Sequence, residues 1–221
     1  MLGTWKIRLV AGLAVAALAA VAALTAAAQS SASISCTGFL PPGFYGDTIE
    51  VPAGADCESP GGVIIHAGVI VNEGGTFVLG SEDSPGPLSF IYGAFRANNA
   101  ANIQLHFMTL IGGLFILGGS GPFGGPFGVT WNTIEDSKIL GDTFIIGYDG
   151  FWQGFIRNHT RGNVNLLNNV VADPDGNEVV TNSIHGNLNC SGNDPAPQVG
   201  DSGGSPNLVY GARIGGQCVG L

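Results

Sequence analysis

Residues 157–161, with the sequence RNHTR, hold the side chains best suited to ligand binding or chemistry in this chain. Side chains alternate between the two faces of a β-strand, so Arg157, His159 and Arg161 are expected to share one face. Together they could bind a carboxylate or sulfate of a saccharide. The alternative is that they pair with carboxylates of the neighbouring repeat, for which the candidates are Asp136, Asp142 and Asp149.

A second polar group lies in residues 173–178, with the sequence DPDGNE. Calcium takes six to eight oxygen ligands, so Asp173, Asp175 and Glu178 are candidate calcium ligands. The segment is too short for an EF-hand loop, and Asp-Gly-Asn is also an ordinary turn signal. Calcium is therefore an optional cofactor in this interpretation, and a plain turn is the alternative.

Aromatic residues also occur in a loop rich in glycine and proline, residues 118–128. Its two phenylalanines, Phe123 and Phe127, could form an aromatic platform for a ligand. The alternative is that they fold back and cover a hydrophobic edge of the protein.

Residues 200–206 read GDSGGSP, a phrase that surrounds the nucleophile of chymotrypsin-like proteases. The histidine segment of those proteases is missing, and Ser202 lies in a stretch of low complexity. His66, His106 and His185 fall within strand-like or turn-like segments. The sequence therefore does not support a serine protease.

A short phrase recurs along the chain and indicates how these residues are positioned. The copies occupy residues 74–80, 112–118, 141–147, 162–168 and 186–192. Self-similarity at a period of about 20–50 residues is typical of solenoids, in which each repeat stacks on its neighbours. The apolar runs are three or four residues long, which is too short for helices. The repeats therefore predict an all-β, single-domain parallel solenoid.

The residues between these runs suit the corners of such a coil. Glycine and asparagine tolerate left-handed backbone conformations, and asparagine is frequent after residue 97. Asparagines at stacked corners are expected to form ladders of side-chain hydrogen bonds. Residues 163–166 alternate, which predicts that Val164 and Leu166 point inward and that Asn163 and Asn165 point outward.

The amino terminus differs in composition from the rest of the chain. Lys6 and Arg8 precede an apolar run, and residues 26–28 are alanines, which together predict a secretory signal peptide over residues 1–28. A retained membrane anchor is the alternative, although the run is of marginal length and no later apolar run would span a membrane. After it we expect an entry segment at 29–61, solenoid coils at 62–190, and a Gly/Pro-rich excursion with one closing strand at 191–221.

Charge and cysteine content limit the function classes. Beyond residue 29 the chain carries all 16 carboxylates and five of the seven Lys and Arg, a net charge of −11. Such a chain repels phosphate backbones, so we expect no nucleic-acid partner. The four cysteines predict disulfides in an exported protein. Spacing favours Cys36–Cys57 and Cys190–Cys218, although three pairings are formally open.

The repeats over residues 62–190 resemble the right-handed parallel β-helices of the pectate-lyase-like superfamily. The tail, over residues 186–197, 206–209 and 216–221, resembles the ending of small exported actinobacterial proteins of uncharacterised function. The first resemblance implies right-handed coils. In lyases of that superfamily an arginine or lysine abstracts a proton beside a uronate, often with bound calcium, so Arg157, His159 and Arg161 are also candidate catalytic residues.

These observations predict a secreted β-helix protein that acts as a non-catalytic surface or interaction module. Its expected partner is a polysaccharide or a glycan of the cell envelope, bound through Arg157, His159 and Arg161. The alternative is a polysaccharide lyase or glycoside hydrolase that acts on an acidic polysaccharide. An enzyme predicts a groove with clustered carboxylates at that face, whereas a module predicts a flat wall.

Overall fold

The chain winds through three parallel sheets in turn, and each of the first seven circuits adds one strand to every one of them. The computed structural model describes residues 32–83, 85–121, 131–200 and 202–221. Within these ranges every paired strand runs parallel to its neighbours, and no helix occurs. The prediction of an all-β, single-domain parallel solenoid is confirmed.

The strands of each sheet stack in chain order. The first sheet contains β1 (Ser33–Ser35), β4 (Thr48–Val51), β7 (Gly68–Val71), β10 (Ala94–Asn98), β13 (Leu114–Leu117), β16 (Thr143–Ile146), β20 (Val164–Leu167), β24 (Leu188–Ser191) and β26 (Ile214–Gly216). The second contains β2 (Gly38–Phe39), β5 (Asp56–Ser59), β8 (Thr76–Leu79), β11 (Asn102–His106), β14 (Asn132–Glu135), β18 (Gln153–Ile156) and β22 (Glu178–Val180).

The third sheet contains β3 (Gly43–Tyr45), β6 (Val63–Ile65), β9 (Ser89–Ile91), β12 (Met108–Leu110), β15 (Lys138–Ile139), β19 (His159–Thr160), β23 (Ser183–Ile184) and β25 (Leu208–Val209). A fourth, two-stranded sheet pairs β17 (Asp149–Gly150) with β21 (Val170–Val171).

In-register stacking builds the core, because each inward side chain lies on the equivalent one of the next coil. In the second sheet Leu105, Ile134, Phe155 and Val179 occupy one such row, and all are buried. Aliphatic and aromatic residues fit these rows because burying them removes apolar surface from water on every coil. Val164 and Leu166 are buried in the same way, as their alternation with asparagine predicts.

The coils extend beyond the predicted limits at both ends. Strands β1 to β5 lie within residues 29–61, yet they pair with later strands of the three sheets. Strands β1 to β3 escape the repeat pattern because they are only two or three residues long, and β1 and β2 are exposed throughout. At the other end the predicted closing strand is β25, but β26 follows and pairs with β24.

Six glycines stack at the corner between the third and first sheets, and we call them the glycine column. Its members are Gly93, Gly112, Gly141, Gly162, Gly186 and Gly211. A Cβ added to any of them would collide with the backbone carbonyl oxygen of the residue below, which is Ala67 for Gly93 and a glycine for the others. Glycine is needed here because the backbones approach so closely. Four of the five repeat copies begin at these positions.

Asparagine ladders form at the other corners, as the sequence predicts. Asn158, Asn182 and Asn207 follow the second sheet, and each side chain accepts the backbone N–H of the coil below. Their amides donate to carbonyl oxygens of the second sheet. A second ladder, after the first sheet, links Asn169, Asn193 and Gln217. Buried corner N–H and C=O groups are thereby satisfied, which a solenoid without helices must achieve at every turn.

Disulfides close the two ends of the solenoid. They join Cys36 to Cys57 and Cys190 to Cys218, which confirms the favoured pairing. Two disulfides are compatible with an extracellular protein. The predicted signal peptide lies outside the described residues. Within the described ranges the protein has no helix of the length and apolar character needed to cross a membrane.

Candidate functional site

The three side chains of the RNHTR segment lie on two different surfaces. Arg157 follows β18 and has a left-handed backbone conformation, with φ 54°. This residue turns the chain from the second sheet to the third, so its side chain stays with the second sheet. His159 begins β19 of the third sheet, and Arg161 directly follows that strand. The prediction of one shared face therefore holds for His159 and Arg161 and is wrong for Arg157.

Arg157 pairs with carboxylates of the coil below. Its Nε and Nη2 donate to the two carboxylate oxygens of Asp136, each at 2.8 Å. Nη2 also donates to Oε2 of Glu135 at 3.1 Å. Pairing with Asp136 was one of the predicted alternatives and is confirmed. The two-pronged contact raises the pKa of Arg157 above its ordinary value and keeps the guanidinium charged.

His159 and Arg161 belong to the outer side of the third sheet, which we call the third-sheet face. Strand register places two rows of outward side chains along it. One row contains Phe44, Ile64, Phe90, Thr109, Lys138, His159, Ser183 and Leu208; the other contains His66, Tyr92, Ile111, Leu140, Arg161, His185 and Tyr210. None of these described positions is Asp or Glu, although the chain as a whole is acidic.

Rings stack along this face at the spacing of the coils. His159 lies 5.0 Å from His185, and His185 stacks on Tyr210 at 4.8 Å between ring centroids. Further along the solenoid, His66 stacks on Tyr92 at 5.4 Å. Partial burial, followed by the nearby His185, Lys138 and Arg161, lowers the pKa of His159. The third-sheet face is therefore an array of exposed rings whose permanent charges, on Lys138 and Arg161, are cationic.

A second candidate surface is a cavity of about 340 Å³ on the outer side of the second sheet. Its lining includes Trp131, Trp152, Glu135, Arg157 and Glu178. Glu135 and Glu178 are outward residues of their strands, yet they are only 3 % and 1 % exposed. Gly200 lies directly against the Glu178 carboxyl, so the C-terminal excursion covers this part of the sheet.

Burial shifts the pKa of Glu135, which lines this cavity, and the pKa of its neighbour His106 in opposite directions. It raises the pKa of Glu135 to about 7, reinforced by Glu82 and opposed by Arg157. It lowers the pKa of His106 to about 4, although Asp136 opposes the shift. Nδ1 of His106 lies 3.7 Å from Oε2 of Glu135, and Nε2 lies 3.0 Å from Oε1 of Gln104. Between these pKa values both groups are neutral, because burial disfavours either charge.

We expect the pH dependence of stability to be nearly flat in the wild type and steep in single variants. The raised pKa of Glu135 removes stability as pH rises from about 4.5 to about 7, because the folded protein holds the extra proton. The lowered pKa of His106 removes stability as pH falls from about 6.5 to about 4. The two effects oppose each other over the shared window.

His106→Gln should therefore lose stability as pH rises through that window, and Glu135→Gln should lose it as pH falls. Urea unfolding at a series of pH values measures both slopes, and the double variant is the control. Parallel profiles for the two single variants would contradict this account.

The remaining candidates do not assemble into one site. Asp173 Oδ1 accepts the N–H of Asp175 in an exposed turn, whereas Glu178 is buried in β22. Among the described residues, no group of three His, Cys, Asp or Glu is arranged to hold a metal ion. Calcium binding at this loop stays a prediction. Phe123 and Phe127 lie outside the described residues. Ser202 lines the cavity, and its hydroxyl donates to the Val199 carbonyl.

Sequence reasoning missed Lys138, His185, Tyr210, Glu135 and the two tryptophans. For the first three, only the coil register reveals that they border His159 and Arg161. A weak signal for the tryptophans exists, because Trp131 and Trp152 each directly precede a second-sheet strand. No family model, curated protein or solved structure matches the chain. The resemblance to exported β-helix proteins stays a prediction.

Proposed function

We propose that this protein is a secreted, non-catalytic module that binds an acidic polysaccharide across the third-sheet face. The observation that carries the proposal is the charge of this face, which has Lys138 and Arg161 among exposed rings and no carboxylate at its outward positions. In a chain of net charge −9, such a surface differs in sign from its surroundings. Secretion is supported by the signal-like amino terminus and by the two disulfides.

The chemistry of the face suits an extended anionic glycan. Lysine and arginine bind carboxylate and sulfate groups by charge-assisted hydrogen bonds. The flat faces of His185 and Tyr210 offer stacking surfaces for sugar rings. Because equivalent positions recur on each coil, about 4.8 Å apart, several sugar units could contact the wall at once. Contacts at several positions compensate for the weakness of each exposed charge contact.

The enzymatic alternative is less well supported. The third-sheet face has no carboxylate among its described outward positions to bind calcium, as in the lyases, or to act as the acid of a glycoside hydrolase beside Arg161. Carboxylates are concentrated instead in the second-sheet cavity, where they would repel the uronates or sulfates of an acidic polysaccharide. A non-catalytic role therefore fits the placement of charge better than lyase or hydrolase activity.

The test is binding of polygalacturonate and of neutral dextran to the purified protein, followed by calorimetry. We expect polygalacturonate to bind, neutral dextran not to bind, and added salt to weaken the interaction. Lys138→Gln combined with Arg161→Gln should weaken binding about tenfold, or about 0.7 kcal/mol for each exposed contact. Arg96→Gln is the matched control, since Arg96 is an exposed cation on the first sheet, over the ring of Phe115.

Equal binding by the double variant and the wild type would contradict the proposal. Release of unsaturated products or reducing ends from either polysaccharide would establish the enzymatic alternative instead.

A further inference from the structure

Aromatic side chains line the second-sheet cavity, and the glycan-binding proposal for the third-sheet face does not account for them. The rings of Trp131 and Trp152 meet nearly at right angles, with centroids 6.3 Å apart. Phe151 also lines the cavity. A Cβ on Gly154 would collide with the indole of Trp152, so the glycine leaves room for that ring to lie against the sheet. The chain thus keeps a space open and lines it with aromatic faces.

The charges around this space are predominantly negative. Four carboxyl groups line it, from Glu82, Glu135, Asp173 and Glu178. The cation among the lining residues, Arg157, is already bound to Asp136 and Glu135. On the same side of the sheet the Thr133 hydroxyl is buried and has no hydrogen-bond partner among the described residues. A ligand in this cavity would therefore meet negative charge and aromatic faces.

We propose that the second-sheet cavity binds a small organic cation, of the size and chemistry of an alkylammonium such as choline. Aromatic faces attract cations through their quadrupoles, and tryptophan does so best. A volume of about 340 Å³ is within the range of small-molecule sites. The site lies on a different sheet from the third-sheet face and has the opposite charge, so it does not depend on the glycan proposal.

The aromatic rings and separated carboxyl groups of the cavity favour a cation with delocalised charge over a metal ion or an anion. Divalent metals require several oxygen ligands that converge at short distance. The described residues contain no such group of three. An acidic sugar would be repelled by the carboxyl groups. A quaternary ammonium spreads its charge over methyl groups, and it can contact indole faces and separated carboxylates together.

The positive charge of the ligand should also favour ionisation of the Glu135 carboxyl. Its carboxyl faces Arg157 and Asp136 at the corner, His106 on the preceding strand and Glu82 in the loop after β8. A bound cation favours the ionised carboxylate, so binding should release a proton and strengthen as pH rises through about 7, the pKa of Glu135. Affinity should be about tenfold weaker near pH ~5.5 than near pH ~8, and Glu135→Gln should remove this dependence.

Calorimetric titration of the full chain with choline, and with 3,3-dimethylbutan-1-ol as its uncharged isostere, tests the proposal. We expect choline to bind and the isostere to bind at least about tenfold more weakly. Glu82→Gln changes an exposed residue and should weaken choline binding several-fold without affecting folding. Trp131→Leu should weaken it about tenfold. The matched control is Glu73→Gln, an exposed carboxylate that does not line this cavity.

Two results would overturn the proposal: no choline binding, or equal binding of choline and the isostere. Glu82→Gln keeps the test valid if Trp131→Leu fails to fold. Because choline and polygalacturonate are titrated separately, failure at one surface leaves the other proposal standing.

Discussion

Replacing Gly141 with alanine is expected to destabilise the protein by about 3 kcal/mol. The new Cβ would lie 2.6 Å from the carbonyl oxygen of Gly112 and 2.7 Å from the backbone nitrogen of Gly113. Neither atom can rotate away as a flexible side chain would, so two coils must separate locally. Separation also lengthens the hydrogen bonds between neighbouring strands. Equilibrium unfolding in urea, followed by circular dichroism, measures the change.

The matched control for this substitution is Gly46→Ala, at a corner between the same two sheets. A Cβ on Gly46 would come no closer than 3.9 Å to the ring of Phe44. We expect a change within about 0.5 kcal/mol, as for other surface positions. If both variants were equally stable, the glycine column would not be a steric requirement of the fold.

Asn182→Ala is expected to cost about 4 kcal/mol, because it interrupts the ladder after the second sheet. The Asn182 side chain accepts the N–H of Asn158 at 2.8 Å and donates to the carbonyl of Phe155 at 2.7 Å. It also donates to Oδ1 of Asn207 at 2.8 Å. Alanine would leave several buried polar groups without partners, at about 1–3 kcal/mol each. Total stability is commonly only about 5–15 kcal/mol, so a large fraction would be lost.

Two further variants test whether the loss of stability comes from breaking the ladder or from removing any asparagine. Asn189→Ala removes a half-buried contact with Asn165 on the outer side of the first sheet, and should cost under about 1 kcal/mol. Asn182→Ser should recover part of the loss, because Ser137 already occupies the equivalent ladder position two turns earlier. Its hydroxyl accepts the Met108 N–H and donates to the Glu135 carbonyl. A loss for Asn189→Ala as large as that for Asn182→Ala would contradict this interpretation.

The local sequence was sufficient to predict the architecture, because each coil must meet the same steric requirement at its corner and bury the same side of its strands. Gly112, Gly141, Gly162 and Gly186 begin the repeat copies, and the same four positions belong to the glycine column. The alternation around Val164 and Leu166 correctly separated inward from outward residues. Strands β1 and β2 could not be predicted because they are exposed and carry no apolar run.

The candidate surfaces were harder to predict because they depend on corners and on coil register. Arginine and phenylalanine rarely adopt left-handed backbone conformations, yet Arg157 and Phe107 both do so between the second and third sheets. Nothing in local sequence indicates that Arg157 leaves the face of His159. Likewise Glu135 and His106 occupy wall positions in the sequence pattern, yet both are buried in the folded protein.

The ladders make individual coils interchangeable. Asn163 accepts the backbone N–H of Asn187, and Asn187 in turn accepts that of Arg213, so successive coils offer the same acceptor to whatever follows. A whole coil could be duplicated or deleted with every class of contact retained, whereas a shift of one residue would turn the core side chains outward. Proteins of this design can therefore change length in steps of one coil during evolution, and the extent of the third-sheet face would change with them.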